Sequence, residues 1–263
     1  MEYTKKHKAF LQVFVQEGIL SSDDARVMAV KIFNNNTSVS THALLINVQL
    51  QILNMSLKLV KCEHTGQEYW MLVSSILDDS TKFQLEFNHA QLELLRKIYS
   101  EIITSNAKGI SGTVCLNMCS NLENKITKHD AEEFLSEMVS RKWLYLSNGI
   151  YYMGARSIGE LLLYFKCTYE DSLTNCVLCK HVIFHGHICQ ECHSVLHNYC
   201  LLNYAKIQKP LKCPNCSKPM PDVEIDDSQG PEETNFIGNG NSAGSDDSEE
   251  EIPQVKKRRS RRL

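Results

Sequence analysis

The sequence predicts a mixed α+β chain that is mainly helical and ends in a small metal-dependent module and an unfolded tail. Three observations lead to this prediction. A series of three amphipathic helices and two strands occurs twice between residues 1 and 170. Four cysteine and histidine pairs then lie close together in residues 176 to 216. Beyond residue 220 the apolar periodicity stops, and charged runs take its place.

The first series occupies residues 1 to 80. Its three helices carry apolar residues at helical spacing, namely Phe10, Leu11, Phe14 and Val15, then Ala25, Met28 and Ile32, then Leu44, Leu45, Val48 and Ile52. Gly18 ends the first helix, and Ser21 with Asp24 resembles a capping box for the second. The series closes with two strands and their turn: residues 57–62, His64-Thr65-Gly66 and residues 69–73.

The second series occupies residues 81 to 172. Its long helix and its third helix show the same periodicity, with Leu92, Leu95, Ile98, Tyr99 and Ile102, then Ala131, Phe134, Leu135, Met138 and Val139. A short helix follows Ser111, and Thr127 with Asp130 caps the third helix. The strands over residues 143–146 and 150–153 meet at Asn148-Gly149, a strong hairpin signal. Ser157 and Glu160 are then expected to cap an extra helix over residues 161–165.

Three helices followed by a two-stranded hairpin form the winged-helix pattern, so we expect two tandem winged-helix domains, over residues 1–80 and 81–172. The third helix of such a domain often reads DNA. Here, however, residues 41–56 contain no Lys, Arg, Asp or Glu, and acidic residues outnumber basic ones in the third helix of the second series. We therefore expect these domains to dock a protein, with DNA contact weak or indirect.

The Cys and His pairs have the spacing of zinc ligands. Each pair encloses two residues, so that one tight turn directs both ligands at a single ion; the pairs are Cys176/Cys179, Cys189/Cys192, His197/Cys200 and Cys213/Cys216. Four pairs predict two zinc ions. The alternative is a disulfide framework, but the chain opens Met1-Glu2-Tyr3-Thr4 without an apolar signal-peptide core, which favours a reducing compartment.

Five histidines lie near these cysteines, namely His181, His185, His187, His193 and His197. We assign His197 as the ligand because it has the pair spacing with Cys200, whereas His193 directly follows Cys192 and would crowd the same ion. Cys115 and Cys119 lie four residues apart on one helical face, which favours packing in the core over a third metal site.

The last 43 residues, 221–263, hold 11 acidic and six basic residues and are expected to be disordered. The basic residues predict a nuclear import signal, consisting of Lys256, Lys257, Arg258, Arg259, Arg261 and Arg262. Nonspecific contact with nucleic acid and a merely solvated tail are the alternatives. The sequence contains no run of 18 apolar residues, so we expect no membrane span.

The ligand order, the 12 residues between Cys200 and Cys213, and the ending Cys213-Pro214-Asn215-Cys216 resemble a variant RING finger over residues 173–220. The resemblance implies a cross-brace, in which Cys176, Cys179, His197 and Cys200 hold one zinc and Cys189, Cys192, Cys213 and Cys216 hold the other. The PHD finger, a histone reader, shares this ligand order. It usually has a tryptophan where this chain has Leu211.

RING fingers have no catalytic nucleophile, and they act by positioning a ubiquitin-charged conjugating enzyme. The resemblance implies docking contacts at Leu178 and Pro214, with Tyr204 as a further candidate that alternatively only covers the metal core. Active members often place a basic residue directly after the last ligand. This chain has Ser217 there and Lys218 one position later, which indicates weak intrinsic ligase activity.

Two winged-helix patterns, this zinc module and an acidic-then-basic tail together resemble the non-structural-maintenance-of-chromosomes element 1 family. Membership implies a nuclear, chromosome-associated subunit of the structural maintenance of chromosomes 5 and 6 complex, which works in DNA repair and recombination. It implies a MAGE-type winged-helix partner, a kleisin subunit and a ubiquitin-conjugating enzyme as partners, with ligase activity that depends on the MAGE-type subunit. The alternative is a noncatalytic scaffold whose zinc module only binds other subunits.

Overall fold

The computed structural model of the chain describes residues 2–35, 37–77, 87–105 and 107–220, all within one compact unit. The predicted tail and its basic cluster at residues 256–262 lie outside these ranges. Among the described residues, none of the helices has both the length and the apolar character needed to cross a bilayer.

The N-terminal segment (residues 2–77) contains three helices and a three-stranded antiparallel sheet of order β1-β3-β2. Its elements are α1 (Lys5–Glu17), β1 (Ile19–Ser21), α2 (Ser22–Phe33), α3 (Val39–Leu50), β2 (Met55–Lys61) and β3 (Glu68–Ser74). Gly18, at φ 74°, ends α1, and the Ser21 hydroxyl accepts the Asp24 N–H at 3.1 Å. Both helix boundaries predicted at these residues are therefore confirmed.

Helix α3 buries a different face from the predicted stripe. Its core residues are His42, Ala43, Ile46 and Leu50, together with Val39 at its start, whereas Leu44, Val48 and Ile52 are 67%, 59% and 88% exposed. The helix has no charged residue, so the sequence gives no contrast by which to choose a face. Val15, predicted on the stripe of α1, is likewise 64% exposed.

The middle segment (residues 87–172) repeats the order of elements, again with a three-stranded sheet, β4-β6-β5. Its elements are α4 (His89–Thr104), β4 (Ile110–Ser111), α5 (Gly112–Met118), α6 (Lys128–Ser140), β5 (Leu144–Ser147), β6 (Ile150–Met153), α7 (Ala155–Glu160) and α8 (Leu162–Thr168). Asn148 and Gly149 have φ of 50° and 75°, as a two-residue hairpin turn requires. Cys115 and Cys119 are buried in the core, as predicted. The short strands β1 and β4 were not predicted.

The prediction that Ser157 and Glu160 cap a later helix is wrong. Ser157 lies inside α7, fully buried, where its hydroxyl donates to the Trp143 carbonyl at 2.5 Å and lies 2.7 Å from the Tyr99 hydroxyl. Glu160 accepts from Arg156 Nε at 2.7 Å. The Ser157 hydroxyl thus belongs to contacts distant in sequence, which local capping patterns do not reveal, and Glu160 pairs within its own helix.

Helix α7 joins the two segments. A Cβ on Gly159 would lie 2.2 Å from Met71 Sδ of β3, and a Cβ on Gly18 would lie 2.8 Å from the Arg156 guanidinium. The same guanidinium lies over the Trp143 ring at 4.5 Å. The middle segment therefore packs directly on the N-terminal sheet through a helix face that has no side chain at position 159.

The C-terminal segment (residues 173–220) has little regular structure. Two short antiparallel pairs precede one helix: β7 (Thr174–Asn175), β8 (Val182–Ile183), β9 (His187–Ile188), β10 (Val195–Leu196) and α9 (Asn198–Ile207). Its apolar core is correspondingly small. The predicted cysteine ligands make up much of what is buried or half-buried there.

Two buried histidines lie in contact in the N-terminal core. Thr4 N donates to His7 Nδ1 at 3.0 Å, so that His7 carries its proton on Nε2, 3.3 Å from His42 Nδ1. His42 is then protonated on Nε2, which has no hydrogen-bond partner among the described residues. Its ring stacks on Phe33 with centroids 3.6 Å apart. This arrangement accommodates two neutral imidazoles but no additional proton.

We expect the stability of this core to fall in acid. Burial lowers the pKa of His7 and of His42, and the His7 charge lowers the pKa of His42 further. The contribution is therefore complete above the unfolded pKa of about 6.5 and is lost as the pH falls through the lowered values. Amide protection factors in α1 and α3 should decrease between about pH 7.5 and about pH 5.5.

His42→Phe should weaken this pH dependence, because it removes one titrating ring while preserving the stack on Phe33. The matched control is His129→Gln, since His129 is 79% exposed. Acid also protonates zinc ligands, but this effect is common to all three proteins. Equal pH dependence in wild type and His42→Phe would contradict the prediction.

Candidate metal centre

Three of the four ligand pairs form the same tight turn. In each, the N–H of the residue after the second cysteine donates to the carbonyl of the first cysteine at 2.9 Å. The residues in that position have positive φ: Lys180 at 63°, His193 at 56° and Ser217 at 59°. This left-handed residue turns the chain back, so that both thiols of a pair point to one side.

The fourth pair has a different framework. His197 is the N-terminal cap residue of α9, and Cys200 lies in the first turn of that helix. A helix start places residues three apart on one face, so the helix replaces the tight turn. The His197 backbone N–H also lies 3.5 Å from Cys176 Sγ, linking this pair to the first one.

The eight residues gather into two groups of four, each with all ligand atoms within 4.8 Å of one another. The groups are Cys176, Cys179, His197 and Cys200 (the first cluster), and Cys189, Cys192, Cys213 and Cys216 (the second cluster). The structure thus brings together the same residues that the RING resemblance groups. The first and third ligand pairs along the chain form one cluster, and the second and fourth pairs form the other. This interleaved arrangement is a cross-brace.

The distances within the clusters suit zinc. Tetrahedral zinc with sulfur at about 2.3 Å places its sulfurs about 3.8 Å apart. Cys189 and Cys216 Sγ are 3.9 Å apart, and Cys192 and Cys213 Sγ are 3.7 Å apart. In the first cluster, His197 Nδ1 lies 3.3 Å from Cys179 Sγ and 3.9 Å from Cys200 Sγ. The two clusters are therefore compatible with two zinc ions.

Of the five nearby histidines, His197 alone joins a cluster of the described residues. His193 occupies the left-handed position of its turn. The His185 ring stacks on His64 with centroids 3.9 Å apart, outside either cluster. Spacing, and not the number of histidines, was therefore the informative signal in the sequence.

The protein environment alone shifts the pKa values of the thiols in opposite directions. The Ser194 hydroxyl, then the Ser194 backbone and the Asn215 amide, lower the pKa of Cys192 to about 5. Burial, then the charges of Cys176 and Cys179, raise the pKa of Cys200 to about 12. Ser194 lies 3.0 Å from Cys192 Sγ and 3.5 Å from Cys213 Sγ, so one hydroxyl serves two ligands of the second cluster.

The candidate docking residues lie around the clusters. Leu178 and Tyr204 are half-buried and pack against the core of the C-terminal segment, Pro214 is half-buried, and Lys218 is exposed. Tyr204 thus covers the metal core and also keeps part of its surface accessible. Lys218 contributes its backbone to the last turn, where its carbonyl accepts the Cys213 N–H at 2.8 Å.

One residue near the first cluster was missed from sequence. Glu63, in the turn between β2 and β3, lies 3.3 Å from His197 Nε2 and is 2% exposed. It is remote from the ligands in sequence, and no local pattern distinguishes it from a surface carboxylate.

Cross-braced clusters of this kind define a RING-like zinc-binding protein, and a RING-like domain family matches residues 176–216. The family described as the Nse1 non-SMC component of the SMC5-6 complex matches residues 7–119. A non-structural maintenance of chromosomes element 1 homolog from Xenopus tropicalis is 31% identical over 242 residues, covering 88% of this chain and 89% of the relative. The chain belongs to the Nse1 family.

More distant relatives cover similar lengths. The human homolog is 28% identical over 221 residues, covering 81% of this chain and 83% of its own length, and the Schizosaccharomyces pombe protein is 22% identical, covering 84% and 94%. A chain from a solved Nse1-Nse3-Nse4 complex superimposes with a TM-score of 0.73 and 28% identity, covering 85% of this chain and 99% of that one.

We predict two zinc ions per chain, and loss of structure in residues 176–216 on strong chelation, because the segment lacks a sizeable apolar core. The helices of the N-terminal and middle segments should persist, as judged by far-ultraviolet circular dichroism. Cys189→Ser and Cys213→Ser should impair the same site, since both belong to the second cluster. Elemental analysis that finds one ion or none in natively purified protein would refute the pairing.

Proposed function

We propose that this chain is a RING-type ubiquitin-protein ligase subunit of the SMC5-6 complex, acting in the nucleus in DNA repair and recombination. The observation that carries the proposal is the cross-brace of the two clusters within a chain of the Nse1 family. In this proposal the eight clustered residues bind two zinc ions. The basic residues at 256–262 direct nuclear import.

Each cluster offers four protein ligands, which is the closed coordination of a structural zinc site. The zinc ions would therefore fix the shape of the module. Activity would come from holding a ubiquitin-charged conjugating enzyme in reactive geometry. The proposed contacts are Leu178 and Pro214, with Tyr204 and Lys218 at the edge of the docking surface. Leu178 is suited to this role because its backbone belongs to the first tight turn, which leaves its apolar side chain half-exposed.

The N-terminal and middle segments would act as winged-helix domains, over residues 1–80 and 81–172, that dock protein. Leu44 and Val48 on α3, together with Ile52 in the turn directly after it, form an exposed apolar stripe, here called the α3 stripe. Exposed apolar patches mark interaction sites. The relative of known structure was solved with Nse3 and Nse4, which supports a MAGE-type winged-helix subunit as the occupant of the stripe and a kleisin as a further partner.

Direct DNA reading is the weaker role for these domains. The α3 stripe has no cation to contact a phosphate, and Asp130, Glu133 and Glu137 lie on the exposed side of α6. These carboxylates repel the DNA backbone. Contact with DNA would then come through other subunits of the complex.

A noncatalytic scaffold is the second candidate function, and the position after the last ligand favours it. Ser217 stands where active RING fingers often have a basic residue. Since its φ of 59° is already left-handed, Ser217→Arg adds the basic group without new backbone strain. Increased ubiquitin discharge by this variant would support a weak ligase, whereas a scaffold would not respond.

The ligase proposal is tested by ubiquitin discharge from a charged conjugating enzyme, using the chain assembled with its MAGE-type subunit. Leu178→Ala combined with Pro214→Ala should slow discharge about fivefold or more, since central apolar contacts commonly contribute over ~1 kcal/mol. Zinc content and assembly should not change, because neither residue is in a cluster.

Ile188→Ala is the matched control, because Ile188 is an apolar residue of the same module that is 48% exposed and is not a proposed contact. Unchanged discharge by the double variant contradicts the docking assignment. If the intact complex stimulates none of the conjugating enzymes tested, the scaffold becomes the better account.

The α3 stripe is tested by assembly. Val48→Glu should reduce affinity for the MAGE-type subunit, measured by calorimetry, because it would bury a carboxylate in an apolar contact. Val114→Glu is the control, since Val114 is 44% exposed on α5 of the middle segment. Equal losses from both variants would show that the stripe is not the docking site.

A further inference from the structure

One carboxylate of the N-terminal hairpin is buried against the C-terminal segment. Glu63 lies between β2 and β3 and is 2% exposed. Its oxygens accept the Phe184 N–H at 3.2 and 3.1 Å, and Oε2 accepts the His185 N–H at 2.7 Å. Oε1 also lies 3.3 Å from His197 Nε2. A single side chain thus receives three N–H groups from the zinc module.

These donors explain why a carboxylate is tolerated in this position. A buried carboxylate without partners would be strongly destabilising, whereas hydrogen bonds from backbone amides and an imidazole compensate it. The donors come from two parts of the module: Phe184 and His185 lie between β8 and β9, and His197 begins α9. Glu63 therefore connects the loop between the first two ligand pairs to a ligand of the third pair.

The two nitrogens of His197 face different partners. Nδ1 faces Cys179 Sγ at 3.3 Å, inside the first cluster, and Nε2 faces Glu63 Oε1 at 3.3 Å. A histidine that binds metal through one nitrogen keeps its proton on the other, and an acceptor there fixes both the tautomer and the ring orientation. Glu63 provides that acceptor.

An aromatic neighbour in α9 restrains the face of the same ring, and the hairpin contacts that neighbour in turn. Tyr199 stacks on His197 with ring centroids 4.7 Å apart and an angle of 14°. Lys61 of β2 places Nζ over the Tyr199 ring at 5.4 Å. Ring rotation at His197 is therefore restricted both at its edge and at its face.

We propose that Glu63 is a positioning residue of the first zinc site: it holds His197 for ligation through Nδ1 and thereby makes the N-terminal hairpin part of that site. The inference rests on the proposed zinc ligation by His197 and is independent of ligase activity. The second cluster has its polar neighbours, Ser194 and Asn215, within the module itself, so it is an internal control.

The wild-type protein gives the first test. Long-range ¹H–¹⁵N spectra of the full-length, zinc-loaded chain should show His197 with metal on Nδ1 and a slowly exchanging proton on Nε2. A spectrum with metal on Nε2, or a rapidly exchanging Nε2 proton, overturns the proposal. A metal-free His197 spectrum in a protein that holds two zinc ions would instead refute the ligand assignment itself, and the proposal with it.

The second test is Glu63→Gln, which preserves size and removes the charge. Its first cluster should bind zinc about 10 to 100 times more weakly, the usual effect of losing an outer partner of a metal ligand, and should release zinc to a chelator correspondingly faster. Pulsed alkylation with mass spectrometry distinguishes the sites, because Cys176, Cys179 and Cys200 should become reactive early while the second cluster remains protected.

Glu132→Gln is the control for loss of a carboxylate charge elsewhere in the chain. Glu132 is exposed on α6 and takes no part in the contacts around His197, so this variant should release zinc at the wild-type rate. Equal acceleration at both clusters in Glu63→Gln would indicate general destabilisation and would overturn the proposal. An unchanged release rate at the first cluster would overturn it as well.

Discussion

Zinc ligation replaces a hydrophobic core in the C-terminal segment, residues 173–220. Cysteine ligands make up much of what is buried there, and the apolar side chains around them, such as Leu196 and Leu201, are few. A segment of this size cannot bury enough apolar surface to fold alone, so its fold depends on the cross-brace. The orientation of every surface residue of the module, Leu178 and Pro214 included, follows from where the two clusters fix the backbone.

The parts of the structure that were predictable from sequence are those with local causes. Gly18 and Ser21 act within one helical turn, Asn148-Gly149 within a single hairpin, and the Cys-x-x-Cys turns within five residues or so. Such signals depend on backbone conformation that neighbouring residues impose. For the same reason, His197 could be chosen over His193 from spacing before any geometry was known.

The parts that were missed depend on contacts between distant residues. Glu63 and Phe184 are 121 residues apart, and Ser157 reaches Tyr99 across 58 residues. The local sequence pattern does not predict such pairs, because the residues that flank a buried carboxylate or hydroxyl do not differ from those that flank an exposed one. The buried face of α3 was not predictable for another reason: an apolar helix without charged residues offers two candidate faces, and only packing decides between them.

The glycine at position 159 has a mechanical consequence. Position 159 has no side chain of its own, so the Met71 and Val60 side chains of β3 and β2 pack directly on the backbone of α7. The same hairpin carries Glu63, which accepts hydrogen bonds from the zinc module. A movement of the middle segment or of the zinc module therefore acts on the same two strands.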